Sequence, residues 1–244
     1  MTLPPSADHT NLPAVVFPGG ANSFERYDFD VLGHFLAMRG FAVFHAGQRQ
    51  NLTLSELYEA GEIEGWVQTT HDDLAQAINA LAAAGVVDKG RVCILGAYND
   101  GYLAVIGAAL RPEQYACAID LFGIVDLKGV MRNYSFTRAP MTFMYYPTAR
   151  HWSDYDEDEL ERFSPLSHVD VLDTPLLLIE RTNSGLGRFG FSWLGVGNLV
   201  RALKQRDREV VWINYDSQEY AENQTVQKNM FREIGDFLDA HIGH

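Results

Sequence analysis

Between the apolar run Arg91-Val92-Cys93-Ile94-Leu95 and an Ala-rich helical stretch, the chain reads Gly96-Ala97-Tyr98-Asn99-Asp100-Gly101-Tyr102. A strand-to-helix turn of this spacing is where a G-x-S-x-G elbow presents a nucleophilic serine. Its small flanking residues let other backbone come close. Here Tyr98 holds the serine position and Asp100 the second glycine position. A phenol titrates at about pH 10 in water and, without an adjacent base, is a poor acyl nucleophile at neutral pH. The turn is expected to keep the outline of a covalent catalyst without its nucleophile. The bulk of Tyr98 and Asp100 predicts backbone relaxed toward ordinary dihedrals.

No other group of residues offers a replacement. The eight histidines, His9, His34, His45, His71, His151, His168, His241 and His244, show no H-E-x-x-H and no clustered Cys/His spacing, so neither a metal nor a cofactor is expected. His71-Asp72-Asp73 reads as the acidic start of a helix, with Thr70 and Asp73 resembling a capping box and Gly85 ending it. Gly185-Leu186-Gly187-Arg188-Phe189-Gly190 matches G-x-G-x-x-G but begins five residues after its strand, so it reads as a Gly-rich loop rather than a dinucleotide site. Gly190-Phe191-Ser192-Trp193-Leu194 fails as a second elbow because Leu194 replaces the closing glycine, and Ser192 reads as a helix-start serine. Arg181 and Arg188 are expected to pair with nearby carboxylates.

The elements that must position these residues alternate. Apolar runs at 14–17, 41–45, 92–95, 116–121, 176–179 and 210–214 read as buried strands, and helix-period segments cover 30–38, 70–84, 101–110, 193–205 and 225–241. That order predicts a βαβ series, hence a mostly parallel six-stranded sheet with helices on both faces. With 244 residues, 47% hydrophobic and 12% aromatic, one domain spanning 1–244 is expected. A segment at 133–163 interrupts the rhythm. It carries Tyr134, Phe136, Phe143, Tyr145, Tyr146, Trp152 and Tyr155, then the acidic run Asp154 to Glu161. It reads as an insertion over the strand ends, either packed on the sheet or acting as a lid, with the acidic run starting a solvated helix. Cys93 and Cys117 lie in apolar runs and read as reduced core thiols. A net charge of −13 excludes nucleic acid as a partner class. No basic n-region or long apolar run is seen, which predicts no membrane contact and a cytoplasmic location.

Taken in order, these pieces resemble the catalytic domain of the prolyl oligopeptidase family of serine peptidases. Pro13-Ala14-Val15-Val16-Phe17-Pro18-Gly19-Gly20 is similar to that family's oxyanion-side P-H-G-G strand end, and Leu36-Ala37-Met38-Arg39-Gly40-Phe41-Ala42-Val43 to its L-A-x-R-G-Y-A-V. Phe122-Gly123-Ile124-Val125-Asp126-Leu127 resembles A-G-V-x-D-L, and Ser164-Pro165-Leu166-Ser167-His168 resembles S-P-x-x-H. The resemblance implies an α/β-hydrolase fold. The family's elbow, G-x-S-Y-G-G-Y, puts Tyr98 in the nucleophile slot. Its L-L-I-H-G-x-x-D, against Leu177-Leu178-Ile179-Glu180-Arg181-Thr182-Asn183-Ser184, puts Ser184 in the aspartate slot. Its Y-P-x-E-x-H puts Tyr220, or Glu219 with a shifted gap, in the histidine slot, and no histidine lies between His168 and His241.

A triad needs an activated hydroxyl, an imidazole and an orienting carboxylate. The expectation is therefore a catalytically degenerate hydrolase domain kept as a binding or regulatory module, with a hydrolase of relocated chemistry as the alternative. The chain is also shorter than typical family members, and a preceding propeller with its size filter is not expected. The old site would be a pocket lined by Tyr98, Asn99, Asp100, Glu180, Ser184, Glu219 and Tyr220. It would prefer neutral polar or cationic ligands, or a peptide or protein partner, and a homodimer is compatible with it.

Overall fold

The computed structural model describes residues 1–5, 8–19, 31–46, 63–129, 156–182, 195–216 and 223–243. In chain order these form β1 (Leu12–Phe17), α1 (Val31–Met38), β2 (Ala42–His45), α2 (Ile63–Ala83), β3 (Val87–Ala97), α3 (Asn99–Leu110), β4 (Cys117–Leu121), α4 (Glu157–Arg162), a 3-10 turn (Pro165–His168), β5 (Leu176–Thr182), α5 (Val196–Lys204), β6 (Val210–Asp216) and α6 (Gln224–Ile242). The six strands make one parallel sheet in the order β2-β1-β3-β4-β5-β6. Strand alternation divides the core between two faces. Val16, Ile94, Ala118 and Leu178 pack with Leu74, Ala104 and Leu199 on one side, and Val15, Leu95, Ile119 and Leu177 with Leu36, Ile234 and Leu238 on the other. Helices thus cover both faces, as the sequence pattern requires.

Two local readings are corrected. α2 begins at Ile63, so Thr70, His71, Asp72 and Asp73 lie in its interior rather than at its start. The apolar stripe Ile63, Trp66, Val67, Leu74 and Ile78 runs upstream of the expected cap and carries the helix with it. Gly85 does end the helix, at φ +74°, with Val86 N–H returning to Leu81 C=O at 3.0 Å. The second correction concerns the cysteines. Cys93 and Cys117 are register partners on adjacent strands with Cα atoms 4.7 Å apart, a separation a disulfide spans, and they are joined as one. Each run looks apolar by itself, and only the strand register shows that both side chains meet.

Of the expected insertion, 156–163 is described and the remainder lies outside the described residues. Its acidic run does form a helix, α4. Asp156 caps it by accepting from Asp158 N–H at 2.9 Å. Tyr102 of α3 reaches this segment with a 3.0 Å hydrogen bond to Phe163 C=O. Among the described residues no helix is long and apolar enough to cross a membrane.

Candidate functional site

β3 delivers Tyr98 to the carboxyl edge of the sheet at φ 56° and ψ −116°. Tyr98 N–H donates to Leu121 C=O at 2.9 Å and its carbonyl accepts from Tyr102 N–H at 3.0 Å. The turn is thereby tied to β4 and to the first turn of α3. The expected relaxation does not occur. The reason lies in the backbone. A Cβ on Gly96 would collide with the Asp100 main chain, so the strand end and the helix start are in direct contact, and only a sharp turn at residue 98 brings them there. A tyrosine in this conformation carries strain of about 1–3 kcal/mol, held by those tertiary contacts.

The Tyr98 side chain is 56% exposed. Its hydroxyl accepts a 2.6 Å hydrogen bond from Arg181 Nη2, at the end of β5. The same guanidinium lies 4.4 Å from the Phe122 ring centroid and 5.7 Å from that of Tyr98. Phe122, next to β4, also has a left-handed φ of 65°. The elbow is thus capped by a Tyr98–Arg181–Phe122 cluster drawn from the ends of β3, β5 and β4. Such cation–aromatic contacts contribute about 0.5–2 kcal/mol each.

Asp100 turns the other way. A Cβ on Gly19 would collide with its carboxylate, so the carboxyl fills the space at the end of β1. Pro18-Gly19 belongs to the stretch similar to the oxyanion-side strand end, where a nucleophile elbow would gather backbone N–H groups. Burial pushes the Asp100 carboxyl up to about 7, with the His45 charge opposing it. His45 ends β2 and stacks on Phe17 with centroids 4.4 Å apart. Asp100 therefore exchanges its proton near neutral pH at the mouth of the elbow.

Beneath the elbow, Asp120 of β4 is buried and accepts from Gly123 N–H at 2.8 Å. Burial pushes it up to about 8, the Gly123 bond opposes this, and the Glu180 charge adds to it. Glu180 is buried and accepts Trp212 Nε1–H at 2.8 Å, its carboxyl raised by burial and lowered in part by that bond.

Of the residues read as pocket lining, Tyr98, Asn99 and Asp100 come together at the elbow, with Asn99 exposed as the first residue of α3. Glu180 is buried on the sheet face that carries Asp120, beneath the elbow, where its charge acts on the Asp120 carboxyl. Successive strand residues face opposite sides, so Arg181 and Glu180 leave β5 on opposite faces, Arg181 to the Tyr98 hydroxyl and Glu180 to the Asp120 side. Arg181 donates to the Tyr98 hydroxyl. Ser184, Glu219 and Tyr220 lie outside the described residues, as do Arg188, Ser192 and the Gly185–Gly190 stretch. The parallel strands β5 and β6, which precede Ser184 and Tyr220, end at the same edge as β3. Sequence reading missed His45, Asp120 and the role of Arg181. Period-2 alternation around Glu180 and an aspartate inside an apolar strand were the available signals.

A sequence model of the prolyl oligopeptidase family matches residues 27–244. Dipeptidyl aminopeptidase BIII of Pseudoxanthomonas mexicana is 26% identical over 226 residues, covering 87% of this chain and 32% of its own length. Dipeptidyl peptidase family member 6 of Caenorhabditis elegans is 23% identical over 206 residues, covering 82% and 27%. The chain thus spans less than a third of the length of these curated relatives. Among solved structures, an acylaminoacyl peptidase of Pyrococcus horikoshii superposes with a TM-score of 0.73 at 16% identity, over 99% of this chain and 39% of that one. A thermophilic esterase of Thermogutta terrifontis gives 0.64 at 15% identity, over 99% and 86%. These likenesses establish the α/β-hydrolase fold.

Proposed function

The chain belongs to the prolyl oligopeptidase family, and we propose that it acts as a non-catalytic binding or regulatory member of it. The observation that carries this reading is the tyrosine at the elbow apex, its hydroxyl held by Arg181 instead of by a histidine base. A second feature supports it. The Asp100 carboxyl fills the space beside Gly19, where an acyl-transfer enzyme needs N–H donors aimed at a developing negative charge. In this reading residues 1–244 work as one unit. The occupant is a small neutral polar ligand, or a peptide or protein segment presenting such a group. The His45 charge offsets part of that of Asp100, and preference for a cation grows as Asp100 ionises above pH 7.

Treatment of the purified protein with a fluorophosphonate probe, beside an active family member, tests the proposal. No covalent label and no turnover of short acyl esters or of prolyl and alanyl peptides are expected. Stoichiometric labelling of any serine would refute it. One observation favours the second reading, a hydrolase of relocated chemistry: a carboxyl near pH 7 beside His45 has the proton affinity of a general acid or base. That reading requires turnover with a pH midpoint near 7 that Asp100→Asn abolishes.

A further inference from the structure

The two edges of the sheet are treated differently. At one edge β2 is short and is covered by Thr2, whose N–H and C=O bond Val43 at 2.7 and 2.9 Å. At the other, β6 pairs only with β5 among the described residues. From Val210 to Tyr215 it contains no Pro, no Lys and no charge, the devices that normally protect an open edge. Val211 is 41% and Trp212 40% exposed there.

This edge also has a formed recess. Gly197, Val200, Arg201 and Lys204 line up at helical spacing on α5, and with Gln205 just beyond it and Trp212 they line an open groove of about 460 Å³. The Trp212 ring is fixed in advance by its bond to buried Glu180, so it loses little freedom when covered. α5 holds two cations and no acidic residue, in a chain of net charge −13. Arg201 is steadied by Asn198 at 3.2 Å.

We propose that the β6 edge docks an extended acidic segment of a partner protein. The segment adds as a seventh strand, lays an apolar side chain on Trp212, and places flanking carboxylates of the same face against Arg201 and Lys204. A second copy of this chain fits less well. Antiparallel pairing of β6 with its twin would bring two identical cationic stripes onto one face and join two chains of charge −13. The proposal does not depend on what the elbow binds.

The test uses three labelled peptides and the full chain: acetyl-Thr-Glu-Thr-Phe-Thr-Glu-Thr-amide, its counterpart with Lys for Glu, and a version N-methylated on the strand-pairing edge. Fluorescence polarisation at low salt is expected to show the acidic peptide binding at least about ten-fold tighter than the other two, with the advantage over the Lys peptide shrinking as salt screens it. The double variant Arg201→Glu, Lys204→Glu should invert the charge preference. Trp212→Ala should weaken binding about ten-fold with the circular dichroism spectrum unchanged. No binding of the acidic peptide, equal binding of the Lys or N-methylated form, or a preference untouched by the surface double variant would each overturn the proposal. So would sedimentation of the free chain as a dimer that Val211→Lys dissolves, because the edge would then belong to a second copy.

Discussion

Two buried ionisable side chains flank α3 and answer pH in opposite directions. Asp120, under the elbow, is held by burial as a neutral acid, up to about 8. His71, in α2, is held by burial as a neutral base, down to about 4, with the Arg111 charge acting in the same sense and the Leu103 carbonyl and Asp72 opposing. His71 Nδ1 lies 2.8 Å from the Tyr115 hydroxyl, which also accepts from Gln114 Nε2 at 2.8 Å. The same apolar interior acts on both, and what differs is which protonation state carries the charge. The elbow side of α3 therefore favours lower pH and the α2 side favours higher pH, and each slope can be removed alone.

The larger effect is expected at Asp120. Its folded pKa is raised, so its stabilising contribution is complete below about pH 4 and is lost as pH rises to about 8. Asp120→Asn keeps an acceptor for Gly123 N–H and cannot ionise. In urea titrations the variant should exceed the parent at pH 8 by between about 2 and 6 kcal/mol, the upper figure being the whole shift at 1.36 kcal/mol per unit. At pH 4 the two should coincide. A variant less stable than the parent at pH 8 would break the comparison, since the ionised form would then be the one the fold uses.

His71 gives the smaller, opposite slope. Its folded pKa is lowered, so its contribution is complete above about pH 6.5 and is lost as pH falls toward 4, by about 3 kcal/mol. His71→Gln can keep the contact with Tyr115 and does not titrate. The parent's stability minus the variant's should fall by about 3 kcal/mol between pH 6.5 and 4, read from the same titrations. A difference that does not change across that window would mean the imidazole is solvated.

The sheet, its strand order of burial and the strand-to-helix turn at Tyr98 were legible in sequence because apolar runs and Gly spacing are local signals. The family itself was legible through motifs in order. What was not legible depends on pairs remote in sequence. Cys93 meets Cys117 only through strand register, and Arg181 meets Tyr98 only because β5 and β3 end at one edge. The start of α2 was misread because a Thr-x-x-Asp signal inside a continuing apolar stripe does not stop a helix.

The smallest effect tests the elbow's stiffness itself. Tyr98 has φ 56° and ψ −116°, conformational territory that glycine enters freely and an L side chain does not. Tyr98→Gly relieves strain of about 1–3 kcal/mol, but it loses the ring's contacts with Arg181 and Phe122 and about 0.5–1 kcal/mol to unfolded-chain entropy, so its net change should be within about 1 kcal/mol. Tyr98→Ala loses the same contacts and keeps the strain. The difference between the two variants, measured by urea unfolding at one pH, therefore isolates the backbone term. Gly is expected to exceed Ala by about 1 kcal/mol, whereas in an ordinary helical or extended setting Ala would win. An Ala variant equal to or better than Gly would mean that the turn relaxes once the Arg181 contact is gone. The left-handed backbone would then belong to the Tyr98–Arg181 cluster and not to the contact between Gly96 and Asp100.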